Sequence, residues 1–403
     1  MRSRRIAFFG LAVLSFFALF YSGEPIFLWI VYFQLSMLFI SIINLLTTFS
    51  LIRYYQSVTP ERTVRGETVT LRLELHNESI LPFAHLTVRY STPQSMYTGK
   101  ESSLSASLLP KRKEIFEAQI DCDYRGEYPI GFTSIEATDL FGLITISIPF
   151  SVFHNKPIDL LIYPRIRQIA PGFLVNREQE GAQESPYSRS EELTSIAEIR
   201  DYREGDPLKR MHWKLSARHQ KYLVKEFEGT LVSDSVVLVD CTQHGLTGEE
   251  AARFEDTIAE CATAFCKRLT DDYHPTRMIV YSDSRTELAG SSPVHFPAFH
   301  ELMAKIKFRG DISIASAIKL EKNSLGNLGS LILVTQTPTN ELFEVLVTMA
   351  DNDCRITLVS VLKDNTPNKE LIKMLGELSL RGIRTFTLLP GEDVSLQLGG
   401  VEL

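Results

Sequence analysis

The stretch SVVLVDCTQHGLTGEEAARFEDTIAECATAFCKRL, at residues 235–269, decides the fold of the second half of the chain. It opens with a short apolar run from Ser235 to Asp240, which is typical of a buried parallel strand. It closes with a helical periodicity from Glu249 to Leu269, in which alanine, isoleucine, phenylalanine, cysteine and leucine recur on one face. A strand followed by such a helix predicts an α/β domain.

The same alternation continues downstream and predicts an open parallel sheet covered by helices on both faces, with ligand sites at the carboxyl ends of the strands. Strands are expected at Arg277 to Asp283, Ser330 to Gln336, Arg355 to Leu362 and Arg384 to Pro390. Helices are expected at Pro297 to Phe308, Ser313 to Glu321, Glu341 to Asn352 and Asn368 to Arg381.

Upstream, apolar and polar residues alternate in short runs separated by turn-forming residues, which predicts a small antiparallel β-sandwich. The runs are Val69 to Leu75, His85 to Tyr90, Glu114 to Ile120 and Leu143 to Phe150. A polar connector covers Asn176 to Glu192. We therefore expect an α+β multidomain chain: a transmembrane hairpin at 1–55, the β-sandwich at 56–160, a linker at 161–194 and the α/β domain at 195–395.

Two uncharged runs at the N-terminus, Ile6 to Ser22 and Ile26 to Ile52, predict a transmembrane helical hairpin. At about 1.5 Å per residue the first run nearly reaches the thickness of a hydrocarbon core and the second exceeds it. The alternative is a cleavable signal peptide, because three arginines precede the first run. It is disfavoured because no small-residue cleavage site follows Ser22 and a second apolar run begins at once.

Charge predicts the orientation of this hairpin. Arg2, Arg4 and Arg5 precede the first run, Arg53 follows the second, and the connecting turn carries only Glu24. The positive-inside rule then predicts a two-span protein of the cell membrane with cytoplasmic soluble domains. Five scattered cysteines are expected to be reduced and buried, and a net charge of −7 gives no reason to expect a nucleic-acid partner.

The most distinctive motif lies at residues 199–228, IRDYREGDPLKRMHWKLSARHQKYLVKEFE. Two shorter motifs precede it, Arg125-Gly126-Glu127-Tyr128 and Asp139-Leu140-Phe141-Gly142-Leu143. Its characteristic residues, which we take as a family signature or interaction site, are Arg200, Tyr202, Gly205, Asp206, Arg210, Trp213, Ser216, Ala217 and Arg218.

These motifs together resemble those of the bacterial domain of unknown function 58 family, with Leu140 in place of a proline usual in that family. The resemblance implies a von Willebrand factor A-like fold for the α/β domain and an association with MoxR-type AAA+ ATPases, which remodel partner proteins or insert metals into them. No catalytic activity is attached to the family. We therefore expect a non-enzymatic, membrane-anchored adaptor or assembly protein that binds such an ATPase or another protein.

The resemblance also implies a divalent-metal loop after the first strand of the domain, for which hard oxygen ligands suit Mg²⁺. Asp240, Thr242 and Asp311 are the candidate ligands, but His244 stands where a serine hydroxyl would be expected and Gln336 stands where an acidic ligand would be expected. Two alternatives remain open for Asp240. It could serve a Mg²⁺-dependent enzyme, or it could cap the loop that follows its strand. A phosphate-accepting Asp240 is disfavoured, because Thr242 cannot act as a general acid.

The cationic stretch Lys209 to Lys225 has its own alternatives: anionic lipid, a nucleic-acid backbone, or structural packing. The structural interpretation is favoured. In it, Arg210, Trp213 and Arg218 pack and pair with the acidic residues Asp201, Asp206, Glu226 and Glu228, because the planar guanidinium of arginine pairs with carboxylates and stacks on tryptophan.

Overall fold

The structure is a computed structural model, and it describes residues 2–149, 157–169, 196–201, 213–219, 221–227, 235–321, 330–350, 355–363 and 369–398. The chain divides into two compact units. Unit 1 comprises Met1–Arg165, Gly245–Asp256 and His300–Ile306, and unit 2 comprises Ile166–His244, Thr257–Phe299 and Lys307–Leu403.

Unit 1 begins with two long apolar helices, α1 (Arg2–Ser22) and α2 (Pro25–Leu51). Both are long and apolar enough to cross a membrane. Within the hairpin, the Ser15 hydroxyl donates to Oε1 of Gln34 at 2.9 Å, so the amide oxygen of this residue of α2 has its hydrogen-bond partner on the neighbouring helix.

Two sheets follow in unit 1. The first has the antiparallel order β1-β3-β6, and the second has the order β2-β9-β7-β4-β5 with β8 paired to β7. Their bounds are β1 (Ile52–Thr59), β2 (Arg62–Val64), β3 (Thr68–Asn77), β4 (Phe83–Ser91), β5 (Ser102–Leu108), β6 (Lys113–Asp121), β7 (Gly126–Thr138), β8 (Thr145–Pro149) and β9 (Ile158–Tyr163), with a short helix α3 (Pro93–Thr98) after β4.

One hydrophobic core joins both sheets of unit 1. Leu71 and Leu73 from β3, Val88 from β4 and Ile135 from β7 are almost completely buried in it. Leu45 of α2 belongs to the same core, so the second apolar helix is packed into this unit along its last turns. The alternation read from the sequence is confirmed, because the buried residues of β3 are every second residue.

Unit 2 contains a six-stranded sheet in the order β14-β13-β12-β15-β16-β17. All neighbours are parallel except β14, which pairs antiparallel with β13. The strands are β12 (Ser235–Val239), β13 (Thr276–Tyr281), β14 (Arg285–Gly290), β15 (Ser330–Thr335), β16 (Arg355–Val361) and β17 (Arg384–Leu388). The expected parallel sheet is therefore present, with an antiparallel edge strand that the sequence analysis did not predict.

Helices accompany these strands as the sequence analysis expects. They are α4 (Trp213–His219), α5 (Gly248–Asp271), α6 (Phe296–Lys305), α7 (Ile314–Leu320), α8 (Asn340–Ala350), α9 (Lys369–Leu380) and α10 (Val394–Gln397), with a 3-10 turn at Pro293–His295. A separate two-stranded sheet pairs β10 (Ile196–Asp201) antiparallel with β11 (Leu223–Phe227). Every residue of β12 is buried, as expected for a central strand covered on both faces.

Candidate functional site

Asp240 stands directly after β12, at the carboxyl edge of the parallel sheet, and both oxygens of its carboxylate accept hydrogen bonds. Oδ1 accepts the hydroxyl of Thr242 at 2.6 Å and the backbone N–H of Thr242 at 3.0 Å. Oδ2 accepts the hydroxyl of Thr335, at the end of the neighbouring strand β15, at 2.7 Å. The interpretation of Asp240 as a cap of the following loop is confirmed by these contacts.

Gln336, which follows Thr335 in the chain, adds one more hydrogen bond to the network around Asp240. Its Nε2 donates to the Thr242 hydroxyl oxygen at 2.5 Å. Thr242 therefore donates to Asp240 and accepts from Gln336 at the same time. Gln336 stands where an acidic metal ligand was expected, and its amide donates a hydrogen bond there, which an ionised carboxylate could not do.

Gly310 brings a third loop to this edge. Its N–H donates to the Cys241 carbonyl at 2.9 Å, and Thr242 and Gly310 form a parallel bridge. A Cβ at Gly310 would lie 2.4 Å from the Tyr281 carbonyl oxygen, so only glycine fits here. Asp311 follows as an exposed residue. The loops bearing Asp240, Thr242 and Gln336 thus meet, and Asp311 directly follows Gly310 in the third loop.

The residues gathered here do not make a complete Mg²⁺ site by themselves. They supply one carboxylate and hydroxyl groups that are already hydrogen-bonded, whereas Mg²⁺ requires six oxygen ligands in octahedral geometry. Across the part of the chain that the structure describes, no group of three or more His, Cys, Asp or Glu is arranged to hold a metal ion. The assignment of Asp240, Thr242 and Asp311 as metal ligands stays a prediction.

The signature segment is partly described. Tyr202, Gly205, Asp206 and Arg210 lie outside the described residues, and for Arg200 and Trp213 the structure gives only their place in β10 and α4. Ser216 is buried in α4, and its hydroxyl oxygen accepts the backbone N–H of Leu223 at 2.9 Å. Ala217 and Arg218 are exposed on the same helix. Ser216 therefore ties α4 to the start of β11.

Most of the cationic stretch Lys209 to Lys225 likewise falls outside the described side chains. Its proposed lipid, nucleic-acid and structural roles all stay predictions.

Arg125, the first residue of the shorter motif at 125–128, is a buried residue whose structural role was not predicted from the sequence. Its Nη1 donates to the carbonyls of Met303 at 2.9 Å and Ile306 at 3.0 Å, at the end of α6. Its side chain also lies 3.7 Å from Asp256, and both are at most 3% exposed. The last residue of the motif, Tyr128, donates its hydroxyl to the Arg125 carbonyl at 2.9 Å.

Asp139, the first residue of the motif at 139–143, is fully buried and ties its own loop to α2. Its carboxylate accepts the Ser41 hydroxyl at 2.6 Å and the backbone N–H groups of Phe141 and Ile144 at 3.0 and 2.7 Å. No local pattern reveals the Ser41 contact, because the two residues are 98 positions apart.

Comparison with known proteins agrees with the signature motif at residues 199–228. Residues 198–289 match the model of the family described as Protein of unknown function DUF58, so the resemblance predicted from the signature is confirmed over this segment. A relative, the uncharacterized protein YeaD of Bacillus subtilis (strain 168), is 24% identical over 179 residues. That alignment covers 43% of this chain and 43% of the relative, so less than half of the relative's length is matched.

Similar solved structures include the conserved hypothetical protein BatB from Bacteroides thetaiotaomicron, which is 15% identical, with 41% of this chain and 94% of that chain covered and a TM-score of 0.28. The sporulation control protein Spo0M from Bacillus subtilis is 10% identical, with 28% and 49% covered and a TM-score of 0.17. Similarities at this level carry no argument about fold or function.

Proposed function

We propose that this protein is a non-enzymatic adaptor anchored in the cell membrane by α1 and α2, and that its α/β unit binds another protein. In this proposal unit 2 carries a von Willebrand factor A-like domain, the two sheets of unit 1 form a β-sandwich, and the partner is a MoxR-type AAA+ ATPase. The domain and partner assignments come from the family resemblance.

The observation that supports a binding role is the closed network around Asp240. Both oxygens of the Asp240 carboxylate are hydrogen-bonded to threonine hydroxyls, and the side chain that is in turn bonded to Thr242 is the neutral amide of Gln336. An amide does not take up or release a proton near neutral pH, so it cannot act as a general acid or base beside Asp240. Such an arrangement fixes the shape of three loops, which suits a surface that is recognised by a partner.

The surface itself stands at the carboxyl edge, where open α/β sheets bind their ligands. We call it the carboxyl-edge surface and define it by Thr242, Gln243, Asp311, Ile312, Gln336 and Thr337. Ile312 is 38% exposed and is the apolar residue among these six, so it offers an apolar contact to a partner.

Affinity capture of the detergent-solubilised full-length protein, followed by mass spectrometry, tests the proposal. We expect an AAA+ ATPase with the wild type, a strong loss with Ile312→Ser, and no change with Val294→Ser. Val294 is a matched control because it is 85% exposed and follows β14, whose antiparallel course ends it at the amino edge of the sheet. Recovery of no such ATPase, or equal recovery with both variants, would overturn the proposal.

The same capture experiment tests whether Mg²⁺ bridges Asp240 to an acidic residue of the partner. If it does, Asp240→Ala should abolish capture of the ATPase. Unchanged capture rules out the Mg²⁺ bridge and leaves the adaptor proposal intact.

The cytoplasmic orientation needs its own experiment. A cysteine introduced at Tyr55, which is 61% exposed just after α2, should be protected from a membrane-impermeant thiol reagent in intact cells. Labelling from outside would place the soluble units on the other side of the membrane.

A further inference from the structure

The last turns of α2 contact loops of the β-sheets in unit 1. These contacts fix the position of the loops along the axis of the apolar helices. Ser41 donates to Asp139 at 2.6 Å, and three residues later Asn44 Nδ2 donates to the Pro82 carbonyl at 3.3 Å. From the other helix, Arg5 Nε donates to the Gly142 carbonyl at 3.3 Å. Because these contacts are between buried or half-buried groups, the depth of the loops at 78–82 and 139–146 is set by the hairpin.

The opposite face of α2 remains apolar and exposed well beyond Ser41. Leu28, Leu35, Phe39 and Leu46 recur on one side of the helix and are 38%, 58%, 64% and 63% exposed. The helix rises roughly 27 Å between Leu28 and Leu46, which is close to the thickness of a hydrocarbon core. A bilayer that covers this exposed face therefore extends to about Leu46, past the level at which Ser41 and Asn44 contact the loops.

The loops at this level present apolar side chains to the outside. Ile80 is 82% exposed, Leu109 is 66% exposed, and Leu140 and Phe141 are 39% and 36% exposed. We call these four residues the apolar rim. Asn77 holds two of the loops together, since its Nδ2 donates to the carbonyls of Leu81 at 2.9 Å and Leu109 at 3.1 Å. An exposed apolar surface that continues from a membrane-spanning face is suited to lipid.

Three basic residues lie beyond the apolar rim along the axis of α2, near the end of this helix. Lys111, Arg112 and Lys113 are all exposed. Lys111 Nζ donates to the Glu78 carbonyl, and the N–H of Glu78 donates to the carbonyl of Leu51, the last residue of α2. Leu51 lies about 8 Å beyond Leu46 along the helix, which is the depth of the headgroup layer.

We propose that the apolar rim is embedded in the acyl boundary of the bilayer and that Lys111, Arg112 and Lys113 contact anionic lipid phosphates. The β-sheets of unit 1 then rest on the membrane in addition to being tethered to it. Asp139 can stand at this depth because its carboxylate is saturated by Ser41 and by the N–H groups of Phe141 and Ile144. This inference rests on the membrane location given under the proposed function.

Fluorescence quenching in nanodiscs tests the depth of the rim. The full-length protein, with Cys354→Ser as background, carries an environment-sensitive fluorophore at Phe141→Cys, Leu35→Cys or Met96→Cys, and the lipids carry nitroxides on their acyl chains. Leu35 is 58% exposed on the apolar face of α2. Met96 is 54% exposed and follows β4, whose far end lies about 26 Å from Phe83 and so from the rim.

We expect quenching and blue-shifted emission at positions 35 and 141, and neither at position 96. Quenching at 35 with none at 141 would overturn the rim proposal and leave the anchor intact. No quenching at 35 would instead contradict the membrane anchor itself.

A second measurement addresses the headgroup contact. With the fluorophore at Leu109→Cys, quenching by spin-labelled phosphatidylglycerol should exceed quenching by spin-labelled phosphatidylcholine. Replacing Lys111, Arg112 and Lys113 by glutamine should make the two lipids equal, whereas Lys100→Gln, an exposed residue beyond α3, should leave the preference unchanged. Equal quenching in the unsubstituted rim would contradict the anionic-lipid contact.

Discussion

Arg125 and Met303 are 178 positions apart in the chain, yet Nη1 of Arg125 donates to the Met303 carbonyl at 2.9 Å. That carbonyl belongs to the last turn of α6, where backbone acceptors have no partner within the helix. A guanidinium at this position satisfies them and interacts favourably with the negative end of the helix dipole.

Arg125→Lys is therefore expected to destabilise the protein strongly. An ammonium group cannot reach the carbonyls of Met303 and Ile306 while also pairing with Asp256, and breaking a buried pair costs about 3 to 5 kcal/mol. Urea unfolding in detergent measures the loss. Arg89→Lys is the control, because Arg89 is half exposed in its pair with Glu136 and should change stability by less than about 1 kcal/mol. Equal effects would mean that burial of Arg125 contributes nothing.

Ser216→Ala should loosen the attachment of α4 to β11. The Leu223 N–H loses its acceptor, at a cost of about 1 kcal/mol, so exchange of that amide should be about fivefold faster. Hydrogen exchange with mass spectrometry detects the change. The neighbouring exposed substitution Ala217→Ser should leave the exchange rate as it is, and an unaltered rate in Ser216→Ala would show that the hydroxyl is dispensable.

His300 should make stability fall under mildly acidic conditions. Its Nε2–H donates to the Pro164 carbonyl at 2.8 Å, and burial lowers its pKa below the usual value for histidine. The unfolded chain therefore binds a proton at higher pH than the folded chain does. Stability is complete above the ordinary histidine pKa of about 6.5 and is lost as pH falls toward the folded value.

Thermal unfolding between neutral and mildly acidic pH measures this effect. His300→Gln keeps a donor for Pro164 but has no titratable group, so its unfolding temperature should depend less on pH than that of the wild type. His85→Gln, at an exposed position, should behave like the wild type. An identical slope in His300→Gln would exclude His300 as the source.

Native thiols should resist alkylation until the protein unfolds. Cys122, Cys241, Cys261 and Cys266 are buried and are not joined in disulfide bonds, which agrees with the expectation of reduced, buried cysteines for these four. Burial raises the pKa of Cys122 to about 12, so thiolate is scarce at pH 8. Mass spectrometry after iodoacetamide treatment should show these four unmodified, while a cysteine placed at Tyr55 reacts at once. Rapid modification of Cys122 would indicate local opening.

Local periodicity predicted the strands and helices that bury one side in a core. Apolar residues that repeat every two positions in a strand, or every 3.6 positions in a helix, indicate which side is buried. It therefore predicted β3 and β12 and the helices between the later strands. It missed β14, where Arg285, Glu287 and Gly290 give little apolar signal and only the pairing with β13 defines the strand. An edge strand is stabilised by its neighbour more than by its own residues.

In the candidate site, too, contacts within one loop could be predicted from the sequence, whereas contacts between distant residues could not. Sequence placed Asp240 and Thr242 in one loop, and their hydrogen bond agrees with that. Thr335 could not be predicted as the second partner of Asp240, since it meets the carboxylate only when β15 pairs with β12. The roles of Asp139 and Arg125 were hidden for the same reason: each depends on a residue far away in the chain.

Helix α2 ends at Leu51 and β1 begins at Ile52, with no residue between them. A junction without intervening residues cannot absorb a change of angle between the helix and the strand. If the hairpin rotates within a bilayer, as when the bilayer becomes thinner, the β-sheets therefore rotate with it and change their angle to the membrane plane.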